Sequence, residues 1–305
     1  MMNLDMDFNG IVPVLATPFT HDGEIDEESF RRLVDWTVDA GVRAVAMFGL
    51  ASEYYKLTDL ERTRLTGILL DQVRGRVPVV ISVTEHATHA AVQRARAAAT
   101  AGADALMVMP PFFLQPAEDS VRRHIEAIAS AVTIPVIIQH APLQTGSRIA
   151  MSTFAGIQRD YPNVTHIKID LIPSGPAISA VQSASGGKLR TLVGYAGLHL
   201  PEAVARGVDG CMPSCSLSRV FVRLFSLLKD GREEGYLLHR RLLPLLLFMM
   251  QSIEIMNAAE KYILARQRVI ASDYCREPAA TLDSFQLGEL ERVMAEQGAQ
   301  APDRP

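Results

Sequence analysis

The sequence predicts an α/β protein, specifically a (β/α)8 TIM barrel with a small C-terminal helical domain. Three observations predict this fold class. Short apolar segments alternate along the 305 residues with amphipathic or alanine-rich segments, a pattern typical of alternating strands and helices. The strand segments show no polar alternation, which indicates a parallel sheet that is buried on both faces. Gly41, Gly102 and Gly207 directly follow predicted helices, where glycine suits the left-handed residue that ends a helix.

Eight strands are predicted, and each is followed by a helix. The strands lie at residues 11–16, 41–49, 77–83, 102–109, 134–139, 164–170, 190–194 and 207–212. The helices lie at residues 27–40, 58–73, 89–101, 118–131, 151–159, 177–184, 201–206 and 217–229. Thr58 and Glu61 form a capping box that begins the second helix. Eight such units in a chain of this length favour a barrel. A doubly wound open sheet usually has a glycine-rich phosphate loop after its first strand, where this chain has Thr17-Pro-Phe-Thr20.

The C-terminal part of the chain differs from the barrel repeat. Helical patterns at residues 237–250, 255–268 and 287–296 follow one another without strands between them. We therefore predict that residues 1–230 form the barrel and carry the active site, and that residues 231–305 form a helical domain. Residues 297–305 are predicted to be frayed.

Composition and charge exclude several classes of protein. The net charge of −4 gives no indication of nucleic acid or of an anionic membrane as a partner. Residues 1–7 are acidic and lack the basic and apolar regions of a signal peptide. Residues 237–250 are too short and too charged to span a bilayer. Cys211, Cys215 and Cys275 show neither a disulfide framework nor a usual zinc spacing, so we expect a cytoplasmic protein with free thiols.

Lys168 is the candidate catalytic residue. It lies in the predicted strand 164–170, where a charged side chain is costly to bury unless it is paired. One interpretation is a lysine at a strand end that extends to water. The other is an amine that desolvation keeps partly neutral, ready to attack a carbonyl carbon. The residues alone favour the first interpretation.

The predicted strands bring further polar residues to one rim, because a barrel of this type carries its chemistry at the carboxyl ends of its strands. His86, His140 and His199 follow three different strands. Imidazole is a common metal ligand. These histidines have no H-x-H or HExxH spacing, which favours loop hydrogen bonding or acid–base work over a metal site. Gly49 and Ser52 fit either a tight turn or a nest of N–H groups that binds a carboxylate.

Seven segments of the chain carry a resemblance to a known family. They are Gly10-Ile-Val-Pro-Val-Leu-Ala-Thr-Pro-Phe19, Phe48-Gly-Leu-Ala-Ser-Glu53, Leu57-Thr-Asp-Leu-Glu-Arg62, Ala101-Gly-Ala-Asp-Ala105, Pro135-Val-Ile-Ile138, Ile167-Lys168 and Arg276-Glu-Pro278. In sequence and in order they resemble motifs of the dihydrodipicolinate synthase / N-acetylneuraminate lyase family of pyruvate-type class I aldolases. That family has a (β/α)8 barrel with a C-terminal helical domain, as the patterns above also predict.

The resemblance implies an imine chemistry that needs no cofactor and no metal. Lys168 would be the Schiff-base lysine that condenses with the keto carbon of a 2-oxo acid, usually pyruvate. The residues implied to lie around that acid are Leu50, Ala51 and Ser52, whose main-chain N–H groups would bind its carboxylate, and Gly194 and Met212, which would lie beside the imine. The family also implies a homo-oligomer, either a dimer or a tetramer built from tight dimers.

The chain departs from the family where protons move and where the second substrate binds. Gln139 stands where most members have a proton-relaying tyrosine, and an amide can only hydrogen-bond. Leu50 and Ala51 stand where the family has loop threonines. Phe113 replaces the tyrosine that the synthases lend across a dimer interface, and Gln144 replaces the arginine that holds the carboxylate of their aldehyde substrate.

These departures indicate an altered second-substrate side. We expect Gln139 to serve catalysis by hydrogen bonding, and Phe113 and His140 to contact substrate. His140, His86 and Tyr55 are candidate acids or bases in place of the tyrosine, although His140 should point away from Gln139 along the strand. The apolar replacements favour an aldehyde, or another second substrate, that carries less charge than that of the synthases.

The leading hypothesis is a Schiff-base lyase or aldolase that makes or breaks a C–C bond of pyruvate or another 2-oxo acid, and that is not dihydrodipicolinate synthase proper. One alternative is a sugar-acid dehydratase that uses the same Lys168. Another is a non-catalytic member with a binding or regulatory role, which the loss of the proton relay suggests. A metal-dependent lyase that uses the three rim histidines is the last alternative.

Overall fold

The computed structural model describes residues 6–296, so the tail at residues 297–305 lies outside the described part. The described residues divide into two compact units. The first comprises residues 6–12 and 78–212, and the second comprises residues 13–77 and 213–296. The division at residue 230 that we predicted from the sequence stays a prediction.

Strands and helices alternate along the described residues. The strands are β1 (Gly10–Ile11), β2 (Val45–Met47), β3 (Val79–Ser82), β4 (Ala105–Val108), β5 (Val136–His140), β6 (Val164–Ile169), β7 (Arg190–Val193) and β8 (Gly210–Cys211). The helices are α1 (Glu27–Val38), α2 (Asp59–Val73), α3 (Thr88–Ala101), α4 (Glu118–Ala131), α5 (Pro142–Thr145), α6 (Met151–Asp160), α7 (Ser174–Ser185), α8 (Leu200–Ala205), α9 (Ser218–Lys229), α10 (Glu233–Met249), α11 (Ile253–Arg266) and α12 (Ser284–Glu296).

The first unit is built on a parallel sheet. Its strands follow the order β1-β8-β7-β6-β5-β4-β3. Every residue of β3, β4, β5 and β6 is buried, as expected when both faces of a parallel sheet are covered. The helices of this unit pack in sequence order, α3 with α4, α4 with α6, and α6 with α7.

The second unit holds β2 and the helices α1, α2 and α9 to α12. Val14 forms parallel bridges with Ala46 and Ser214, which fixes the direction of β2. Helix α2 begins at the predicted capping box, in which the Thr58 hydroxyl accepts from the Glu61 N–H and the Glu61 carboxylate accepts from the Thr58 N–H. Eight parallel strands that alternate with helices are the (β/α)8 topology predicted from the sequence, so the fold class is confirmed.

A buried ion network lies in the second unit. Glu53 is fully buried and binds the amines of Lys261 and Lys56, the latter at 3.0 Å. Lys261 is 1% exposed, donates to the Tyr274 carbonyl at 3.0 Å and lies over the Phe19 ring, 4.2 Å from its centroid. Burial lowers the pKa of Lys261. The Lys261 amine thus has a carboxylate, a main-chain carbonyl and an aromatic ring as its neighbours.

Among the helices of residues 6–296, none is long and apolar enough by itself to cross a membrane. Helices α10 and α11 meet that criterion only as a pair, with a bend of 118° between them.

Candidate active site

Lys168 lies on β6 at the centre of the candidate site in the first unit. In the parallel register its Cα pairs with Gln139 of β5 on one side and with Leu192 of β7 on the other. Side chains alternate along a strand, so Lys168 and Asp170 project from the same face of β6. Lys168 is 6% exposed, and its amine lies 3.0 Å from the Asp170 carboxylate. The lysine is therefore buried and paired, which corrects the sequence-based preference for a side chain that extends to water.

The Asp170 carboxylate contacts three other residues of the site. Its Oδ2 atom binds both the Lys168 amine and the Gln139 side-chain amide, which donates at 2.8 Å. Its Oδ1 atom accepts the Tyr195 main-chain N–H at 2.7 Å. All three partners are donors, as an ionised carboxylate requires. Sequence reasoning placed Asp170 at the strand end but gave it no role, although its spacing of two residues from Lys168 indicated a shared face.

Because Gly194 has no side chain, there is space beside it for the ion pair of Lys168 and Asp170. A Cβ atom at position 194 would lie 1.8 Å from Asp170 Oδ1 and 2.7 Å from Lys168 Cε. Those distances are too short for any side chain, so glycine is required here by close approach. Lys168 and Gly194 are therefore neighbours, as the sequence-based expectation for Gly194 requires.

The backbone after Gly194 is strained, and its conformation directs a main-chain N–H at the Asp170 carboxylate. Tyr195 and Ala196 are consecutive non-glycine residues with φ of 51°, in the left-handed region. Such residues cost about 1–2 kcal/mol each and persist where the surroundings impose them. This turn, which the sequence did not predict, directs the Tyr195 N–H at the carboxylate.

Met212 and Cys211 lie at the end of β8. The Met212 N–H donates to the Val193 carbonyl at 2.8 Å, which continues the parallel pairing past the strand, and the residue is buried. Burial raises the pKa of the Cys211 thiol, while the nearby Lys168 opposes that shift. A thiol with a raised pKa stays protonated at neutral pH, so Cys211 does not supply a base.

Two of the candidate histidines, His140 and His86, pack against aromatic rings. His140 follows Gln139 on β5 and therefore points to the opposite face, where its ring packs edge-on against Phe154 with 5.1 Å between centroids. Burial lowers the pKa of His140 to about 4, against a smaller opposing effect of Asp170, so the imidazole is neutral. His86 is exposed and packs edge-on against Phe112 at 4.6 Å. We do not retain His140 as a substrate-binding or acid–base residue.

Phe113 lies in the loop after β4 and is 79% exposed. Its ring is tilted against His86, with 6.1 Å between centroids. The expectation that Phe113 contacts substrate stays a prediction. Within residues 6–296, no three His, Cys, Asp or Glu side chains are grouped as a metal site would require.

The loop expected to bind a carboxylate lies in the second unit. Leu50, Ala51 and Ser52 form a single 3₁₀ turn. Ser52 is used internally, because its N–H donates to the Gly49 carbonyl at 2.9 Å and its hydroxyl donates to the Leu15 carbonyl at 2.6 Å. The N–H groups of Leu50 and Ala51 open the turn, at positions that have no partner within a helix. The geometry of the loop thus favours Leu50 and Ala51 over Ser52 as main-chain donors.

Comparisons with known proteins agree with the fold. The Dihydrodipicolinate synthetase family profile matches residues 7–297. A 4-hydroxy-tetrahydrodipicolinate synthase of Salinibacter ruber is 38% identical over 164 residues, which cover 54% of this chain and 54% of that protein. This chain thus spans about half the length of the curated relatives that it matches at the highest identity. The enzyme of the same name from Acidobacterium capsulatum is 30% identical over 298 residues, covering 96% of this chain and 97% of that protein.

A solved structure gives a similar match. YagE, a prophage protein of E. coli K12 that belongs to the dihydrodipicolinic acid synthase family, was crystallised in complex with pyruvate. It superposes on 95% of this chain and 99% of its own chain with a TM-score of 0.88, at 25% sequence identity.

The fold and the site define a (β/α)8 barrel protein with a buried, paired lysine near the carboxyl end of its sixth strand. The chain belongs to the Dihydrodipicolinate synthetase family. The resemblance found in the sequence motifs is thereby confirmed.

Proposed function

We propose that the protein is a lyase or aldolase that forms an imine between Lys168 and pyruvate, or another 2-oxo acid. The observation that carries the proposal is the pairing of the buried Lys168 amine with Asp170 at 3.0 Å, at the strand end where barrels of this class carry their chemistry. The family membership supports the reaction class, and the pyruvate complex of YagE supports the choice of 2-oxo acid.

In the proposed reaction the neutral Lys168 amine attacks the keto carbon, and the keto oxygen leaves as water. The resulting iminium withdraws electrons from the adjacent carbon, so that a C–C bond there breaks or forms with its electron pair held in an enamine. Burial of Lys168 excludes water from the charged intermediate. Gly194 has no side chain that would displace Lys168 Cε or the Asp170 carboxylate.

The second half of the proposal concerns the partner substrate. Gln139 donates its amide N–H to Asp170 at 2.8 Å, and an amide neither ionises nor takes up a proton near neutral pH. A tyrosine at this position would supply general acid catalysis typically worth about 10²–10⁴-fold. We therefore propose an acceptor reaction different from that of dihydrodipicolinate synthase proper. The contacts of Leu50, Ala51, Phe113 and Met212 with substrate, the homo-oligomer and the cytoplasmic location belong to the same proposal.

The test is borohydride trapping with pyruvate, read by intact-protein and peptide mass spectrometry. We expect a reduced pyruvyl adduct on the peptide that carries Lys168. Lys168→Arg should abolish it, because a guanidinium does not form the imine, whereas the matched control Lys188→Arg, at an exposed lysine of the same unit, should leave it unchanged.

The outcomes separate the competing functions. Absence of an adduct with pyruvate and with a panel of longer 2-oxo acids would overturn the proposal and favour a non-catalytic binding protein. An adduct followed by loss of water from a sugar acid, rather than by C–C cleavage, would identify the dehydratase that uses the same lysine.

A further inference from the structure

The proposed imine chemistry needs a group that moves protons at the Lys168 amine, and the usual tyrosine position holds Gln139. Two protons must leave the nitrogen and reach the keto oxygen before water departs. In the first unit Asp170 pairs with Lys168 at 3.0 Å, the Cys211 thiol lies near both of these charges, and His140 lies near Asp170. Burial keeps Cys211 and His140 neutral at pH 7, and His140 lies on the other face of its strand.

Asp170 meets the geometric requirement. A general base must lie within hydrogen-bond reach of the proton that it takes, about 2.6–3.2 Å between heavy atoms. The Asp170 carboxylate lies 3.0 Å from Lys168 Nζ, and it is placed by a side-chain amide on one oxygen and a main-chain N–H on the other. These two contacts orient the carboxylate toward the amine.

We propose that Asp170 is the catalytic acid–base residue that transfers protons between the Lys168 amine and the keto oxygen of the substrate, with Gln139 as its positioning residue. This inference rests on the proposed function. Gln139, which we expected to take part in catalysis, instead holds the Asp170 carboxylate in place beside the Lys168 amine.

The proton transfers balance as follows. Asp170 takes one proton from the Lys168 ammonium, and the neutral amine attacks the keto carbon as the carbonyl π electrons move to oxygen. Asp170 gives that proton to the oxygen, takes a second from the nitrogen, and gives it to the resulting hydroxyl. The C–O bond breaks with its electrons on the departing water, and the nitrogen lone pair forms the C=N bond. The carboxylate ends ionised beside the iminium.

A carboxylate that serves only as a counter-ion would behave differently. It would hold Lys168 as the ammonium, so that its removal would leave imine formation as fast as before or faster. The acid–base role requires the opposite result. The rate of imine formation therefore distinguishes the two roles, and overall turnover does not.

The experiment is timed borohydride quenching of the reaction with pyruvate, from pH 6 to 9, followed by intact-mass measurement. Asp170→Asn keeps the size of the side chain but replaces one accepting oxygen by an amino group and cannot take up a proton, so it should slow adduct formation by about 10²–10⁴-fold. Asp209→Asn is the matched control, because that carboxylate binds His166 at 3.2 Å and Arg190 at 3.1 Å in the same unit, and its rate should equal that of the wild type.

A second variant provides the same test if Asp170→Asn does not fold. Asp170→Ala should form the adduct slowly, and added formate should restore much of the rate by supplying a mobile carboxylate. The unmodified protein should also show slower adduct formation in D₂O than in H₂O.

The failure of either proposal has its own signature. Adduct formation by Asp170→Asn at the wild-type rate and with the wild-type pH profile, or no slowing of the unmodified protein in D₂O, would overturn the acid–base role and leave the imine intact. No adduct on the unmodified protein would overturn the proposed function and this inference with it.

Discussion

Gln139 and Lys168 are direct register partners on β5 and β6, and both donate to the same oxygen of Asp170, at 2.8 and 3.0 Å. The amide at the tyrosine position is thus linked to the candidate nucleophile through a carboxylate. Four predictions follow from the contacts around this pair and from its neighbours.

Replacement of Gln139 by leucine should impair imine formation without preventing it. The variant removes a hydrogen bond to a charged group, worth about 1.5–3 kcal/mol, which corresponds to a loss of about 10- to 100-fold if the bond orients Asp170 during the reaction. Timed trapping with pyruvate measures the rate. Gln93→Leu changes an exposed glutamine of the same unit and should have no effect. A Gln139→Leu rate equal to the wild-type rate would remove Gln139 from the positioning role.

Gly194→Ala should reduce both stability and imine formation. The added methyl would meet Asp170 Oδ1 at 1.8 Å, so the carboxylate must move, and overpacking of this kind costs about 1–3 kcal/mol. Urea unfolding and trapping measure the two effects. Gly67→Ala is the control, since Gly67 lies within α2 with open space around it, and this change should stabilise by about 0.5–1 kcal/mol. Unaltered trapping by Gly194→Ala would show that the ion pair tolerates displacement.

Lys168→Met should destabilise the protein by more than its double variant with Asp170→Leu. The single change leaves a carboxylate buried without its cation, a loss of about 3 kcal/mol even with the amide of Gln139 and the N–H of Tyr195 still bound. The double change removes both charges and should recover most of that loss. Chemical denaturation of the two variants at pH 7 gives the comparison. Equal stabilities would mean that Asp170 gains little from Lys168 in the folded state.

The free energy of unfolding should fall between pH 6.5 and 4 in part because of His140. Burial lowers the pKa of His140 to about 4, whereas an unfolded histidine has a pKa of about 6.5. Between these values only the unfolded chain binds the proton. The contribution is therefore complete above pH 6.5 and is lost as the pH falls toward 4, by about 3 kcal/mol in total.

Denaturation of His140→Leu at pH 7 and pH 5 measures this contribution. The variant should lose less stability than the wild type between the two pH values, whereas His89→Leu, at an exposed histidine, should keep the wild-type dependence. Part of the slope should remain, because burial also lowers the pKa of His124 to about 4. An unchanged slope in His140→Leu would contradict the prediction.

The sequence predicted the features that repeat or that follow local rules. The capping box at Thr58 and Glu61, the glycine ends of the helices and the buried strands depend on neighbours along the chain. The outward direction of His140 followed from alternation on a strand. These predictions needed no knowledge of which strands lie side by side.

The contacts of Asp170 could not be predicted in the same way. That Gln139 pairs with Lys168 depends on the register of two strands that lie far apart in the sequence. Tyr195 and Ala196 are not glycines, although Gly194 and Gly197 flank them, so their residue types did not predict the left-handed conformation that the surrounding structure imposes. The sequence therefore identified the candidate lysine but not the residues that contact it.

Lys261, in the ion network of the second unit, is an internal control for reagents that modify amines. Lys261 is buried and has a pKa lowered by desolvation, the two properties by which reactive lysines are commonly sought. The Lys261 amine, however, binds the Glu53 carboxylate and the Tyr274 carbonyl, and it lies over the face of the Phe19 ring. A reagent that modifies Lys168 but not Lys261 in the same digest would show that burial of an amine is not sufficient to make it reactive in this chain. The reagent must also be able to reach the nitrogen atom.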